Sequence, residues 1–307
     1  MSSVTITDVY LRDGLQDEDV VVPTELKVRI AGLLADAGVP AIEAASFVNP
    51  SKVPQMADAD ALLAGLADKG LLERAVVSGL AVNDRGIDRA IAAGTPVISI
   101  VTSASEAHSR ANAGRSIDEA LDSLESAVRH HPGVRFLAGV STAFTCPFEG
   151  DIPTKRLAHV VDRFIAMGIT DIGLADTLGT TPTERVLSAL ATVIDANQHA
   201  DLSLHLHDAH GQALATALAA IQLGVTRFDA ALAGYGGCPF APGAHGNLAT
   251  EHLVRTLHMA GHSTGIDEAA LAIAAAAARA AVEQSPRLQA TGSRQRHSNA
   301  EKRTGQP

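Results

Sequence analysis

The alternation of short apolar runs with longer amphipathic segments constrains the fold of this chain more than any other feature. Eight runs have the composition of strands, at 4–10, 41–47, 75–82, 97–103, 135–141, 171–175, 202–207 and 227–232. Eight helical patterns alternate with them, at 23–37, 57–68, 84–93, 116–130, 153–167, 182–196, 211–223 and 249–260. Apolar residues recur there at spacings of three and four, as at Leu157, Val160 and Phe164. Eight strand–helix pairs predict an α/β fold, a (β/α)8 TIM barrel.

A repeated glycine supports the barrel. Every second predicted strand follows a glycine that ends a helical run, at Gly38, Gly94, Gly168 and Gly224. Glycine ends helices because it tolerates the left-handed backbone conformation. An open doubly wound sheet is the alternative fold. An extra alanine-rich helix at 267–284 completes a predicted domain at 1–285, and the polar residues 286–307 are expected to form a disordered tail.

Composition excludes several classes of protein. The net charge of −10 argues against a nucleic-acid partner, which would require a basic stripe. Cys146 and Cys238 are the two cysteines, too few for a disulfide framework. No apolar run reaches the ~20 residues that span a bilayer, and residues 1–8 show no signal peptide. We therefore expect a cytoplasmic protein with no membrane partner.

The most informative motif is the string LHLHD at 204–208, at the end of the seventh predicted strand. Side chains at i and i+2 of a strand point to one face, so His205 and His207 are expected to face the barrel interior together. Two convergent imidazoles at the C-terminal end of a strand make half of a divalent-metal site. A pair of hydrogen-bonded core histidines is the alternative interpretation.

Three charged residues follow or interrupt the first two predicted strands. Arg12 and Asp13 come directly after strand one, where Asp13 could bind a metal, act as a base or form a turn, and Gln16 could contact substrate. Glu43 interrupts an apolar strand, and a buried carboxylate needs a partner. We expect Glu43 to pair with Arg12 or with a metal-site group.

A glycine-rich loop follows strand eight, at 234–243, and has the character of an active-site lid. Cys238 lies in its middle and is predicted to be a catalytic thiol, since such a loop is a poor place to bury an inert one. Asn247 comes shortly afterwards, before the last barrel helix. It could be a helix N-cap or a metal ligand, and the motif alone does not separate the two.

Weaker candidates follow the middle strands. Asp176 and Thr177 come after strand six and could bind substrate hydroxyls or ligand groups, or could form a turn. Ser105, after strand four, is a candidate substrate contact, whereas Cys146 is expected to pack rather than react.

With these pieces in place, the sequence resembles the 3-hydroxy-3-methylglutaryl-CoA lyases, a family of the metallolyase superfamily of TIM barrels. The resemblance covers about residues 4–265. It is carried by RDGLQDE at 12–18, IEAASFVNPSKVPQM at 42–56, LADTLG at 174–179, LHLHD at 204–208 and GGCPFAPGAHGNLATE at 236–251.

The resemblance implies a site and a reaction. Asp13, His205, His207 and Asn247 would bind Mg²⁺ or Mn²⁺. The family cleaves its acyl-CoA substrate by a retro-Claisen reaction to acetyl-CoA and acetoacetate, in leucine degradation and ketone-body formation. The resemblance further implies that Arg12 stabilises the enolate and that Cys238 and His205 are the acid–base groups. Glu43 and Asp176 would orient Arg12 and the metal ligands. The implied substrate contacts are Gln16, Thr177 and Ser105. The resemblance also implies a homodimer.

Some positions depart from the family pattern, among them Asp19, His108 and His210. They bear on the acyl group and the CoA contacts and leave the metal site intact.

The nearest alternative function is Claisen condensation, as in the isopropylmalate and homocitrate synthases, whose corresponding loop carries Gly-Glu-Arg rather than Gly-Gly-Cys-Pro. A zinc amidohydrolase would have its HxH pair on strand one, and a catalytically inactive binding barrel would be expected to lose Arg12, Cys238 or a ligand.

Overall fold

The protein is a closed barrel of eight parallel strands, as the alternating sequence pattern predicts. The computed structural model describes residues 2–237 and 246–288. The strands are β1 Thr5–Asp8, β2 Ala41–Ser46, β3 Val76–Ala81, β4 Val97–Ser103, β5 Arg135–Ser141, β6 Asp171–Asp176, β7 Asp201–Leu206 and β8 Arg227–Ala230. Their order around the barrel is sequential, and β8 pairs with β1 to close it.

Helices surround the barrel. In the described residues they are α1 Thr24–Asp36, α2 Ala59–Asp68, α3 Asp84–Ala92, α4 Glu106–Ala113, α5 Ile117–His130, α6 Thr154–Ala166, α7 Thr183–Ala196, α8 Ala213–Gln222, α9 Thr250–Met259 and α10 Glu268–Gln284. All nine predicted helices are present. The sequence did not predict α4, because this short helix is polar and has no long apolar stripe; it begins at the N-cap Ser105.

The period-two pattern of each strand divides its side chains between the lumen and the helical layer. In β7, Leu204 and Leu206 are buried, whereas His205 is partly accessible on the opposite face. The helices contribute the matching apolar stripe, and in α6 the predicted residues Leu157 and Phe164 are fully buried. The four repeated glycines all adopt positive φ, as predicted for helix ends.

The C-terminal ends of the strands are joined to the helices by structured segments. Strand one ends at Asp8, two residues earlier than predicted, and the chain then forms a π-helix at Tyr10–Gly14. Residues 246–249, which follow β8 in the chain, lie across the ends of β7 and β8. Asn247 forms a bridge with His207, and Ala249 forms one with Ala231. These two segments carry much of the polar chemistry described below.

The segment after α10 pairs with the residues that follow the π-helix. Arg287 forms an antiparallel bridge with Val20, and the Leu288 amide donates to the Asp19 carbonyl at 2.7 Å. Residues 286–288 are therefore paired, and the remainder of the predicted tail, 289–307, lies outside the described residues. Across the described chain, no helix combines the length and the apolar character needed to cross a membrane.

Candidate metal and active site

His205, in β7, and His207, just after it, converge at the mouth of the barrel. The Nε2 atoms of His205 and His207 lie 3.2 Å apart. His205 is oriented from behind by Asp229 of β8, whose Oδ2 lies 3.2 Å from its Nδ1. This contact directs Nε2 of His205 toward the lumen. The shared face predicted for the histidine pair is confirmed.

Asp13 completes a three-residue cluster with the histidines. Its Oδ2 lies 3.7 Å from Nε2 of His205 and 3.9 Å from Nε2 of His207. One ligand atom from each of the three residues falls within 4.8 Å of the others, a spacing that suits a metal ion. Asp13 lies in the π-helix that begins two residues after the end of β1.

Asn247 supplies a fourth polar group. Its Nδ2 donates to Asp13 Oδ2 at 2.8 Å and to the Tyr235 carbonyl at 2.9 Å. Its Oδ1 is buried and has no hydrogen-bond partner among the described residues. The N-cap of α9 is Ala249, so the N-cap interpretation of Asn247 is wrong. A buried carbonyl oxygen without a donor, next to a carboxylate and two imidazoles, fits a bound cation.

The pKa values of the two imidazoles are shifted in opposite directions. Burial and the neighbouring His205 lower the pKa of His207 to about 4, which keeps this ring neutral. Burial also acts to lower the pKa of His205, but Asp229 and Asp13 outweigh it and the net shift is upward. Burial acts to raise the pKa of Asp13, but Arg12 and the histidines reverse that, so the carboxylate stays ionised. A neutral imidazole and an ionised carboxylate are the states that bind metals.

Arg12 and Glu43 form a buried pair beside this cluster. Arg12 Nε donates to Glu43 Oε2 at 2.5 Å, and Nη1 contacts Asp13 Oδ1. Burial acts to lower the pKa of Arg12, but Glu43 and Asp13 raise it overall, so the guanidinium remains charged. The predicted contact between Glu43 and Arg12 is present. It holds a cation at the edge of the candidate metal site.

Two glycines permit the close approach of neighbouring turns to the site. A Cβ atom on Gly179 would lie 2.6 Å from the carbonyl carbon of His207, and φ there is +64°. A Cβ atom on Gly236 would lie 2.5 Å from Asn247 Nδ2, with φ of +100°. Side chains at these two positions would displace the ligand-bearing segments.

The other sequence candidates are less central. Asp176 accepts hydrogen bonds from Thr181 Oγ1 at 2.7 Å and from its backbone N–H at 3.2 Å, which favours the turn interpretation over a role in orienting Arg12. Ser105 has no exposed surface and caps α4 by accepting from the His108 amide, so its position does not support the expected substrate contact. Thr177 Oγ1 accepts from the Thr142 amide at 2.7 Å.

Two further predictions concern the mouth of the barrel. Gln16 is partly accessible just beyond the π-helix, so a substrate contact stays a prediction. Cys238 lies outside the described residues, and its role also stays a prediction.

Sequence reasoning missed Asp229 and Asp8, although both are carboxylates within apolar strands. The argument that selected Glu43 applies equally to them.

Comparison with known proteins agrees with this geometry. The model of the HMGL-like family matches residues 3–277. The cytoplasmic 3-hydroxy-3-methylglutaryl-CoA lyase of Danio rerio is 40% identical over 266 residues, which cover 86% of this chain and 78% of that protein.

Two solved structures are also similar. The HMG-CoA lyase of Brucella melitensis superimposes with a TM-score of 0.87 at 34% identity, over 92% of this chain and all of that one. An Acinetobacter baumannii HMG-CoA lyase, solved in complex with coenzyme A and 3-methylmalate, gives a TM-score of 0.85 at 34% identity, over 96% of this chain and 97% of that one. The family match spans the whole barrel, including every described residue of the candidate site. The chain therefore belongs to the HMGL-like family, a family of lyases.

Proposed function

We propose that this protein cleaves the C2–C3 bond of 3-hydroxy-3-methylglutaryl-CoA, releasing acetyl-CoA and acetoacetate. The observation that carries the proposal is the convergence of Asp13, His205 and His207 with the unpartnered Oδ1 of Asn247 at the C-terminal end of a barrel. Relatives named as lyases of this substrate, at about 40% identity, favour cleavage over the alternative of Claisen condensation.

We assign the metal site to Asp13, His205, His207 and Asn247, with Mg²⁺ or Mn²⁺ as the ion. Two imidazole nitrogens and two oxygens form a mixed donor set that would suit either ion, and substrate oxygens would supply further ligands. When bound, the ion supplies Lewis acidity to the substrate hydroxyl and to the ketone that it becomes.

Arg12 is assigned to the charge that develops on the other half of the substrate. When the C2–C3 bond breaks, its electron pair moves to C2 and onto the thioester oxygen as an enolate. Glu43 and Asp13 hold the guanidinium of Arg12 in a fixed orientation, so stabilising that charge requires little reorganisation. Glu43 thereby acts through Arg12 and not on the substrate.

Two proton transfers complete the reaction. The 3-hydroxyl loses a proton as C3 becomes a ketone, and C2 of the departing acetyl-CoA gains one. We assign these transfers to His205 and Cys238. Asp229 Oδ2 lies 3.2 Å from Nδ1 of His205 and holds the ring in place for this role. Gln16 and Thr177 remain the proposed substrate contacts, whereas Ser105, which is fully buried at the N-cap of α4, is not one of them.

The assignment of Cys238 has a direct test. Replacing Cys238 with serine is expected to retain metal binding and to reduce cleavage to a small fraction of the wild-type rate, because a serine hydroxyl is a much weaker acid than a thiol. Cys146→Ser is the matched control, since Cys146 is buried against Ser105. Wild-type turnover in the Cys238 variant would contradict the acid–base assignment.

The function itself is tested by an assay of the purified protein. We expect acetyl-CoA release from 3-hydroxy-3-methylglutaryl-CoA in the presence of Mg²⁺ or Mn²⁺, and none after chelation. Consumption of acetyl-CoA with a 2-oxo acid, without cleavage of the first substrate, would instead establish a condensing enzyme. Related 3-hydroxyacyl-CoA substrates measured in parallel define the acyl group.

The proposed assembly and pathway come from the family resemblance, and the proposed location comes from the composition of the chain. We propose a homodimer, which light scattering on the purified protein would test. We also propose a cytoplasmic protein, although relatives described as cytoplasmic and as mitochondrial both match the chain. A place in leucine degradation or ketone-body formation would follow from the proposed substrate.

A further inference from the structure

Asp8, the last residue of β1, is a fully buried carboxyl group that the proposed reaction does not use. In the barrel register Thr7 pairs with Asp229, which faces His205, and Asp8 pairs with Ala230. Paired residues share a face of the sheet, so Asp8 points away from the lumen. It is therefore neither a metal ligand nor a substrate contact.

The two oxygens of Asp8 serve two different segments. Oδ1 accepts from the backbone N–H of Tyr10 at 3.0 Å, at the start of the π-helix that carries Asp13. Oδ2 accepts from Thr250 Oγ1 at 2.6 Å, three residues after Asn247. One side chain thus joins the segments of two candidate metal ligands.

In the described residues, backbone hydrogen bonds join the Asn247 segment to the ends of β7 and β8 and to the residues that follow them. The Leu248 amide donates to the Leu206 carbonyl at 3.0 Å, and the Ala231 amide donates to the Leu248 carbonyl at 3.0 Å. Neither bond reaches the π-helix. In the described structure, two side-chain hydrogen bonds join this segment to β1 and the π-helix. One is the Asn247–Asp13 contact itself, and the other is the bond from Thr250 to Asp8.

This arrangement has an energetic cost. Burial raises the pKa of Asp8 to about 7, despite the hydrogen bonds from Thr250 and Tyr10, which act to lower it. An apolar residue at the end of β1 would avoid that cost in a barrel that needed only packing. The polar group is therefore best explained by what it holds in place.

We propose that Asp8 is a positioning residue, which sets the separation of Asp13 and Asn247 and thereby the metal affinity of the site. The inference rests on the proposed metal site and deepens it. Groups that orient metal ligands typically change metal affinity by 10–100-fold, and Asp8 acts on two ligand segments at once. We expect loss of the Asp8–Thr250 bond to weaken metal binding by about tenfold.

The test compares Thr250→Val, which removes the hydroxyl without changing the shape, with Thr250→Ser, which keeps it. Mn²⁺ binding is measured by titration calorimetry on metal-free protein, with circular dichroism and thermal unfolding as checks of folding. Thr250→Val is expected to bind Mn²⁺ about tenfold more weakly. Thr250→Ser is expected to bind it within about twofold of wild type, because the donor is retained.

Thr216→Val is the matched control for loss of a buried threonine hydroxyl. Thr216 in α8 is as buried as Thr250 and shares a 2.7 Å hydrogen bond with Thr183, away from the ligands. A role in stability alone predicts that both valine variants lower the unfolding temperature and leave Mn²⁺ affinity unchanged. If Thr250→Val does not fold, Asp8→Asn provides a second test of the Asp8–Thr250 contact. This variant is also expected to bind Mn²⁺ more weakly.

The outcomes separate the inference from the function on which it rests. Equal Mn²⁺ affinity in wild type and in a folded Thr250→Val or Asp8→Asn protein would overturn the role of Asp8 and leave the metal site standing. Failure of the wild-type protein to bind Mn²⁺ would overturn the metal site, and the inference with it.

Discussion

The two ends of the barrel both carry clusters of charge, and they are built differently. At the N-terminal end, Arg227 lies between Asp171 and Asp201, and Arg135 also contacts Asp171. Two cations face two anions there, and all four side chains are at least a fifth exposed. The cluster is neutral and its charges are matched within it. Such an arrangement can stabilise the barrel, and none of its atoms is among the buried atoms of the described residues that have no hydrogen-bond partner.

At the C-terminal end the polar groups are more deeply buried and are not fully matched. Arg12 is shared by Glu43 and Asp13, whereas His207 Nδ1 and Asn247 Oδ1 are buried with no hydrogen-bond partner in the described structure. Burying such atoms is unfavourable unless something binds them. The difference teaches that matched charge indicates stability, whereas spare buried atoms that cluster with a carboxylate and a second imidazole, as they do here, indicate a ligand.

The largest expected effect comes from removing a ligand at the C-terminal end. His207→Ala is expected to abolish activation by Mg²⁺ or Mn²⁺ and to reduce cleavage by about a thousandfold, because the charge developing on substrate oxygens is no longer stabilised. Steady-state rates across a metal titration measure this. Asp201→Asn, at the opposite end of the same strand, is the control and should keep the metal response. An unchanged metal response in His207→Ala would contradict the ligand assignment.

A smaller loss is expected when Arg12 loses its partner. In Glu43→Gln the guanidinium is no longer held by a carboxylate, so its orientation toward the enolate becomes less precise. We expect kcat to fall by about 10–100-fold with little change in KM. Asp60→Asn, which loses an ion pair with Arg89 on the surface, is the matched control. A change confined to KM would place Glu43 in substrate binding instead.

Disrupting the charge cluster at the N-terminal end of the barrel should lower stability and leave catalysis unchanged. Arg227→Gln leaves Asp171 and Asp201 without their shared cation, and we expect the free energy of unfolding to fall by about 1–2 kcal/mol, between typical values for exposed and buried pairs. Urea unfolding measures the loss. The kcat of the folded enzyme should stay at the wild-type value, and a large fall in kcat would break the distinction between the two ends.

The smallest effect concerns acid stability. Burial acts to raise the pKa of Asp171, but Arg227 and Arg135 outweigh it, so its folded-state pKa lies below the unfolded value of 3.8. A depressed acid pKa contributes stability that is present above the unfolded pKa and is lost as pH falls through the folded one. Asp171→Asn should therefore be less stable than wild type near pH 6, by at most about 1 kcal/mol. Urea unfolding at several pH values should show this difference shrinking below pH 4, and a constant difference would contradict the ionic origin.

Much of the fold could be predicted because its signals are local. Strand alternation placed His205 and His207 on one face, and the same periodicity located all eight strands. The short helix α4 escaped prediction because its polar sequence has no apolar stripe. The π-helix was not foreseen either, since the Asp13-Gly14 pair is equally typical of an ordinary turn.

The sequence by itself determined the barrel, the face of the histidine pair and the end of the barrel at which chemistry occurs, because each follows from periodicity within a few residues. Only the tertiary structure decided that Asn247 meets Asp13 rather than capping a helix, and that Asp176 turns to Thr181. Asn247 and Asp13 are 234 positions apart in the chain. Their contact exists because the barrel closes β8 against β1, and no local pattern of residues records the geometry of that closure.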